Sequence, residues 1–182
     1  LWPCWTRTSG RSARRRWLAA AAVSLGLGVW SMHFIAMLGF QSDGGVAYDG
    51  GLTVLSFLLA VFGTGIAFLT AGGPSASPLR LSLAALFMGV AIAAMHYVGM
   101  AAMRTTATLT YRPTLVALSV AIAVVASFAA LFAARRKRDL AWRAVAAVLL
   151  GLAIVSMHYT GMAALILAPT TDVVRDANTS RL

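Results

Sequence analysis

The sequence predicts an all-α protein, a polytopic transmembrane helical bundle of about five spans built from repeated helical hairpins. Three observations predict it. Of 182 residues, 60% are hydrophobic and 11% charged, against roughly 25% charged in a soluble domain, which leaves too little polar surface to cover a globule in water. The apolar residues fall in five runs long enough for a bilayer core, which needs about 20 residues of helix. A six-residue pattern recurs on alternate runs.

Residues 1–10 (LWPCWTRTSG) read as an irregular lead-in, too short and polar for a signal-peptide core. Leu1 in place of Met implies material upstream. The membrane region covers 11–168, with spans at about Trp17–Phe40, Gly51–Ala71, Leu79–Met103, Thr114–Ala134 and Trp142–Ala168. The breaks between them, 41–50, 72–78, 104–113 and 135–139, are polar or rich in Gly and Pro. Pro78, Pro113 and Pro169 stand at span edges, where a missing amide does least damage. Residues 169–182 form a polar tail.

The net charge of +10 sits at the ends of the apolar runs, as topology-setting charge does, and so argues against a nucleic-acid partner. Ten basic residues (Arg11, Arg14, Arg15, Arg16, Arg80, Arg135, Arg136, Lys137, Arg138, Arg143) fall on one side. Four (Arg104, Arg112, Arg175, Arg181) fall on the other. The amino end is therefore expected in the cytoplasm and the tail outside, in a cell inner membrane. The single cysteine, Cys4, excludes an intrachain disulfide and any multi-cysteine metal site.

The recurring pattern is Met-His-aromatic-x-small-Met, at Met32-His33-Phe34-Ile35-Ala36-Met37, Met95-His96-Tyr97-Val98-Gly99-Met100 and Met157-His158-Tyr159-Thr160-Gly161-Met162. The histidines are 63 and 62 positions apart, the length of a helical hairpin used repeatedly. From the last basic residue to the histidine is 17, 16 and 15 residues on spans one, three and five. At 1.5 Å per residue that is roughly 23–26 Å into a core about 30 Å thick, so the imidazoles share one layer toward the outer boundary. The methionine four residues on lies one turn outward on the same face, and the methionine just before points about 100° away. Ala36, Gly99 and Gly161 let another helix approach closely.

Imidazole with thioether, and no carboxylate or thiolate, is a ligand set suited to copper, Cu(I) above all, and to haem iron. It is poor for magnesium or calcium. A single intramembrane histidine is as readily a helix–helix hydrogen bond as a ligand, and methionines alone are more often filler. Three matched motifs at one depth favour a shared site.

Met157-His158-Tyr159-Thr160 spells the run for which the MHYT domain, a bacterial integral-membrane sensor module, is named. With Met95-His96-Tyr97-Val98 and the Gly28-Val29-Trp30-Ser31-Met32-His33-Phe34 stretch, residues 11–168 resemble that family. The resemblance implies sensing of oxygen, carbon monoxide or nitric oxide through bound copper. Its ligand candidates are Met32, His33, Met37, Met95, His96, Met100, Met157, His158 and Met162, with Tyr97 and Tyr159 lining the site. Phe34 stands where a third tyrosine would and lacks its hydroxyl. Three hairpins also imply that the first repeat here lacks its leading helix. A cytoplasmic output module, a cyclic-di-GMP enzyme or a histidine kinase, is implied as a partner absent from this chain.

Four readings compete: a copper-dependent sensory domain, a haem- or copper-binding electron carrier, a copper conduit, and a purely structural motif. The odd number of histidines in one layer, with no intramembrane carboxylate, weighs against electron transfer. The apolar inner half of every span weighs against a conduit. With five acidic residues, all near loops or the tail, and no nucleophile beside a base, the chain is not expected to be an enzyme by itself.

Overall fold

The computed structural model describes residues 6–39, 47–71, 77–105, 107–135 and 140–169. Five helices account for most of them: α1 (Thr6–Leu38), α2 (Gly50–Ala71), α3 (Pro78–Ala101), α4 (Pro113–Arg135) and α5 (Leu140–Ala164). Each contains a stretch long and apolar enough to cross a membrane. Their starts follow local chemistry. Ser77 caps α3, its hydroxyl accepting from the Arg80 N–H at 3.3 Å, with Pro78 in the first turn where its missing amide has no bond to lose. Asp49 accepts the Leu52 N–H at 3.0 Å at the head of α2 and pairs with Arg104 at 2.8 Å. The Arg104 hydrogen bond, and then that of Leu52, holds the Asp49 carboxyl below the usual carboxylate range.

Three boundaries differ from the sequence reading. Helix α1 already runs from Thr6, because nothing from Thr6 to Leu38 breaks a helix and the arginines extend it beyond the apolar stretch. Residues 1–5 of the expected lead-in, and 170–182 of the tail, lie outside the described residues. At the other end of the bundle the 104–113 break is structured. Strand β3 (Ala107–Tyr111) pairs antiparallel with β4 (Leu165–Pro169), and β1 (Ala47–Tyr48) pairs with β2 (Met103–Arg104). Spans three and five thus end as helices at Ala101 and Ala164. Thr108, Thr110, Tyr111 and Ile166 suit a pleated surface better than a helix.

Sequential helices pack as neighbours, and α1, α3 and α5 also touch one another directly. Helix α2 fills the outer position between α1 and α3, and α4 the one between α3 and α5. Among the described residues no helix fills the third outer position, between α5 and α1. A groove of about 550 Å³ lies there, lined by Gly28, Val29, Met32, Gly151, Ile154 and Val155 among others. Helix α3, enclosed on both sides, has 56% of its apolar stretch buried, against 11% for α5. Leucine, valine and phenylalanine face outward, as lipid requires, while the interior is mainly alanine, methionine and small polar residues.

The 63-residue period holds in the packing as well as in the motifs. A Cβ added at Gly26 would sit 2.8 Å from Val61 Cα, and one at Gly89 would sit 2.5 Å from Val124 Cα. At Gly151, the third position in the series, nothing lies within 4 Å. Gly89→Ala is therefore expected to destabilise the bundle by about 1–3 kcal/mol through overpacking. Gly151→Ala should be neutral or slightly stabilising, since alanine is the better helix former. Thermal unfolding of the two variants in the same detergent checks the pair.

Candidate metal centre

The histidines lie five or six residues before the ends of α1, α3 and α5, so the three helices deliver them to one level beneath the paired strands. All three side chains are buried: 0% exposed for His33 and His96, 1% for His158. Their Nδ1 atoms form a nearly equilateral triangle, with sides of 3.1 Å (His96–His33), 3.2 Å (His33–His158) and 3.3 Å (His158–His96). The rings stand edge to face at 80–90°, like blades about a common axis.

Glycine makes that arrangement possible. A methyl group at Gly99 would collide with His33 Nε2, and one at Gly161 with His96 Nε2. Gly99 and Gly161, the small positions of the second and third motifs, therefore take in the back of a neighbour's imidazole, a more specific role than close helix approach. Ala36 holds the matching position in the first motif.

A neutral imidazole offers at Nδ1 either one N–H or one lone pair in the ring plane. Three such atoms facing one another always leave at least one pair mismatched, lone pair against lone pair or proton against proton. A cation at the centre satisfies all three. With Nδ1 lone pairs turned inward, the protons reside on Nε2, and His33 Nε2 and His96 Nε2 are buried with no hydrogen-bond partner. Such orphans cost about 1–3 kcal/mol each.

The methionines form two layers around the triangle. Toward the strands, Met37 (1% exposed) and Met100 (0%) pack with Met103 (6%), flanked by Met162, Tyr48, Leu109, Tyr111 and Leu165. On the other side Met95 (0%) and Met157 (1%) belong to the main core with Ile92 and Ile154, and Met32 packs against it. The nine residues named from sequence are thus a three-nitrogen centre between two thioether layers. Phe34, Tyr97 and Tyr159 each stack edge-on against their own histidine, at 4.9, 4.9 and 5.2 Å. The Tyr97 hydroxyl points away to Ser119 of α4, at 2.7 Å, and Tyr159 is 60% exposed. The aromatics therefore flank the rings.

Sequence reasoning missed Met103, Ser56, Ser119, Tyr48 and Tyr111. The signal was present: Ser56 and Ser119, like Tyr48 and Tyr111, are 63 apart.

The family described as "Bacterial signalling protein N terminal repeat", MHYT, matches three stretches, 26–84, 89–147 and 151–177. The chain belongs to the MHYT family. Each full MHYT unit begins on a histidine helix and continues through the outer helix after it, so the first repeat is not the one short of a helix. Among the described helices the third match holds α5 alone. MHYT-containing relatives include the bifunctional diguanylate cyclase/cyclic di-GMP phosphodiesterase MucR of Pseudomonas aeruginosa, 47% identical over 87% of this chain and 24% of its own length. The cyclic di-GMP phosphodiesterase NbdA of the same organism is 45% identical over 85% of this chain and 20% of its own. The signaling protein YkoW of Bacillus subtilis is 29% identical over 81% and 19%. The chain thus spans about a fifth to a quarter of these proteins, and the match lies in the MHYT region. No solved structure matches.

If the triad exists for a ligand rather than for stability, removing it should not harm the metal-free fold. The triple variant His33→Leu, His96→Leu, His158→Leu, of similar volume and without orphaned nitrogens, should unfold in detergent at or above the temperature of the metal-free parent. A marked drop would favour the structural reading.

Proposed function

We propose that the chain is a membrane sensory input domain that binds copper at the His33–His96–His158 triad and responds to a diatomic gas or to redox state. The observation that carries this reading is the convergence of three buried Nδ1 atoms within 3.3 Å of one another. The centre of a triangle with 3.2 Å sides lies about 1.85 Å from each corner. A displacement of under ~1 Å along its axis gives the metal–imidazole distance of roughly 2.0 Å. The thioethers of Met37, Met100 and Met162, toward the strands, make the surroundings soft and water-poor, which favours Cu(I) over zinc; Met32, Met95 and Met157 close the other side. Bound copper would supply a redox-active centre with a free position for oxygen, carbon monoxide or nitric oxide.

The haem alternative is less well supported. Two axial nitrogens across an iron stand about 4 Å apart with a macrocycle between them, and this triangle has no pair so separated.

Each histidine comes from a different repeat unit. A change in the spacing of the three nitrogens larger than the packed rings can absorb would therefore move α1, α3 and α5 against one another. A ligand biases such a movement through its differential affinity for the two arrangements. The names of the relatives support an output in cyclic di-GMP synthesis or hydrolysis, supplied by a domain beyond the matched region. The basic residues favour a cytoplasmic amino end, with the triad toward the outer face.

Metal analysis of the detergent-purified chain tests the reading. About one copper per chain is expected, with nitrogen ligation in its X-ray absorption spectrum, lost in each of His33→Ala, His96→Ala and His158→Ala. Equal metal content in the parent and the triple alanine variant would overturn it, and a Soret band would shift the assignment to haem.

A further inference from the structure

The two complete repeat units fasten the histidine helix to its outer helix at the same place by different chemistry. In the second unit Ser119 Oγ donates its one proton to the Val116 carbonyl at 2.8 Å, so its oxygen is left to accept, and the Tyr97 hydroxyl is at 2.7 Å. In the first unit Ser56, 63 positions earlier, likewise donates to the Thr53 carbonyl at 2.7 Å. Ser56 is also fully buried, so its oxygen needs a donor. The residue matching Tyr97 is Phe34, which has none to give. Trp30, one turn away on the same helix, has an indole N–H that can only donate, and it reaches Ser56 Oγ at 3.1 Å. The matching position in the second unit is Ala93.

We infer that Trp30 is a positioning residue for His33, its indole taking over in the first unit the clasp that tyrosine makes in the second. Its reach to the triad runs through rings. Trp30 packs on Phe34 at 4.8 Å, and Phe34 stands edge-on to His33 at 4.9 Å. Phe34 also meets Tyr48 at 5.4 Å, as Tyr97 meets Tyr111 at 5.5 Å, so the aromatic frame is otherwise the same in both units. The indole therefore fixes α1 against α2 and, through Phe34, the plane in which His33 presents Nδ1. A group hydrogen-bonded directly to a ligating histidine commonly carries 10–100-fold in metal affinity; Trp30 acts one ring further out, so a smaller loss is expected.

The inference rests on the copper reading for one of its two readouts. The test compares the parent, W30F, and the double variant W30F with Phe34→Tyr, which returns a hydroxyl to the place Tyr97 uses. In copper titration against a chromogenic Cu(I) chelator, W30F should bind about five- to tenfold more weakly, and the double variant should return to within about twofold of the parent. In metal-free protein carrying ¹⁵N-histidine, W30F should shift the His33 ring resonances and the double variant should bring them back. Helicity and monodispersity establish that each variant is folded. Unchanged His33 resonances in folded W30F, or a folded double variant that restores neither readout, would overturn the inference. A parent that takes up no copper while the resonances still move and recover would defeat the copper reading and leave the positioning role standing.

Discussion

Three imidazole nitrogens facing one another in an apolar interior make a demand that the rest of the bundle is arranged to meet. Each carries a lone pair or a proton toward the others, and no assignment of tautomers reconciles all three. They are kept together by packing, with glycine behind two of the rings, aromatic edges beside all three, and methionine layers on both sides. Removing any one of these would let the rings turn apart. The orphaned Nε2 atoms of His33 and His96 mark stability given up for geometry, the pattern expected of a binding site.

Repetition is how a chain this short achieves it. One histidine helix and one outer helix cannot bury three rings, but two such pairs and a further histidine helix bring the same face of each to a common axis. The period reaches every level of the packing. Gly26 and Gly89 let the outer helices approach at matching points, Ser56 and Ser119 anchor them, and Tyr48 and Tyr111 cap them beside the short strands. Between α5 and α1, where none of the described helices packs, the same positions turn outward: nothing lies within 4 Å of a Cβ built at Gly151, and Tyr159 is exposed.

Much of this was legible in the sequence because lipid simplifies the code. Hydrophobic length gave all five helices, and the spacing from the last arginine gave the common depth of His33, His96 and His158. The strands were not legible, since Leu165–Pro169 is as apolar as the helix before it and its pairing with Ala107–Tyr111 is a long-range contact. The partner of the Tyr97 hydroxyl was not legible, because a motif records which residues recur and not which way a hydroxyl points. Tyr97 turns to Ser119, a residue outside the motif at the same period. The ring nitrogen that faces the axis was equally hidden. Nothing in a linear motif distinguishes Nδ1 from Nε2, whereas the fold turns the three Nδ1 atoms together.

That choice of nitrogen has a mechanical consequence. Nδ1 lies one bond nearer the backbone than Nε2, so three helices meeting through Nδ1 must approach more closely, and the ring adds less slack between ligand and Cα. With Nε2 pressed against the next helix at Gly99 and Gly161, the His33 and His96 rings are confined between the other Nδ1 atoms at one end and a neighbouring backbone at the other. Rings so confined have little room to swivel, and a displacement at their meeting point would pass to the helices that carry them. The same tightness that strands two polar atoms without partners is what would let an event at one ion be felt along three membrane-spanning helices.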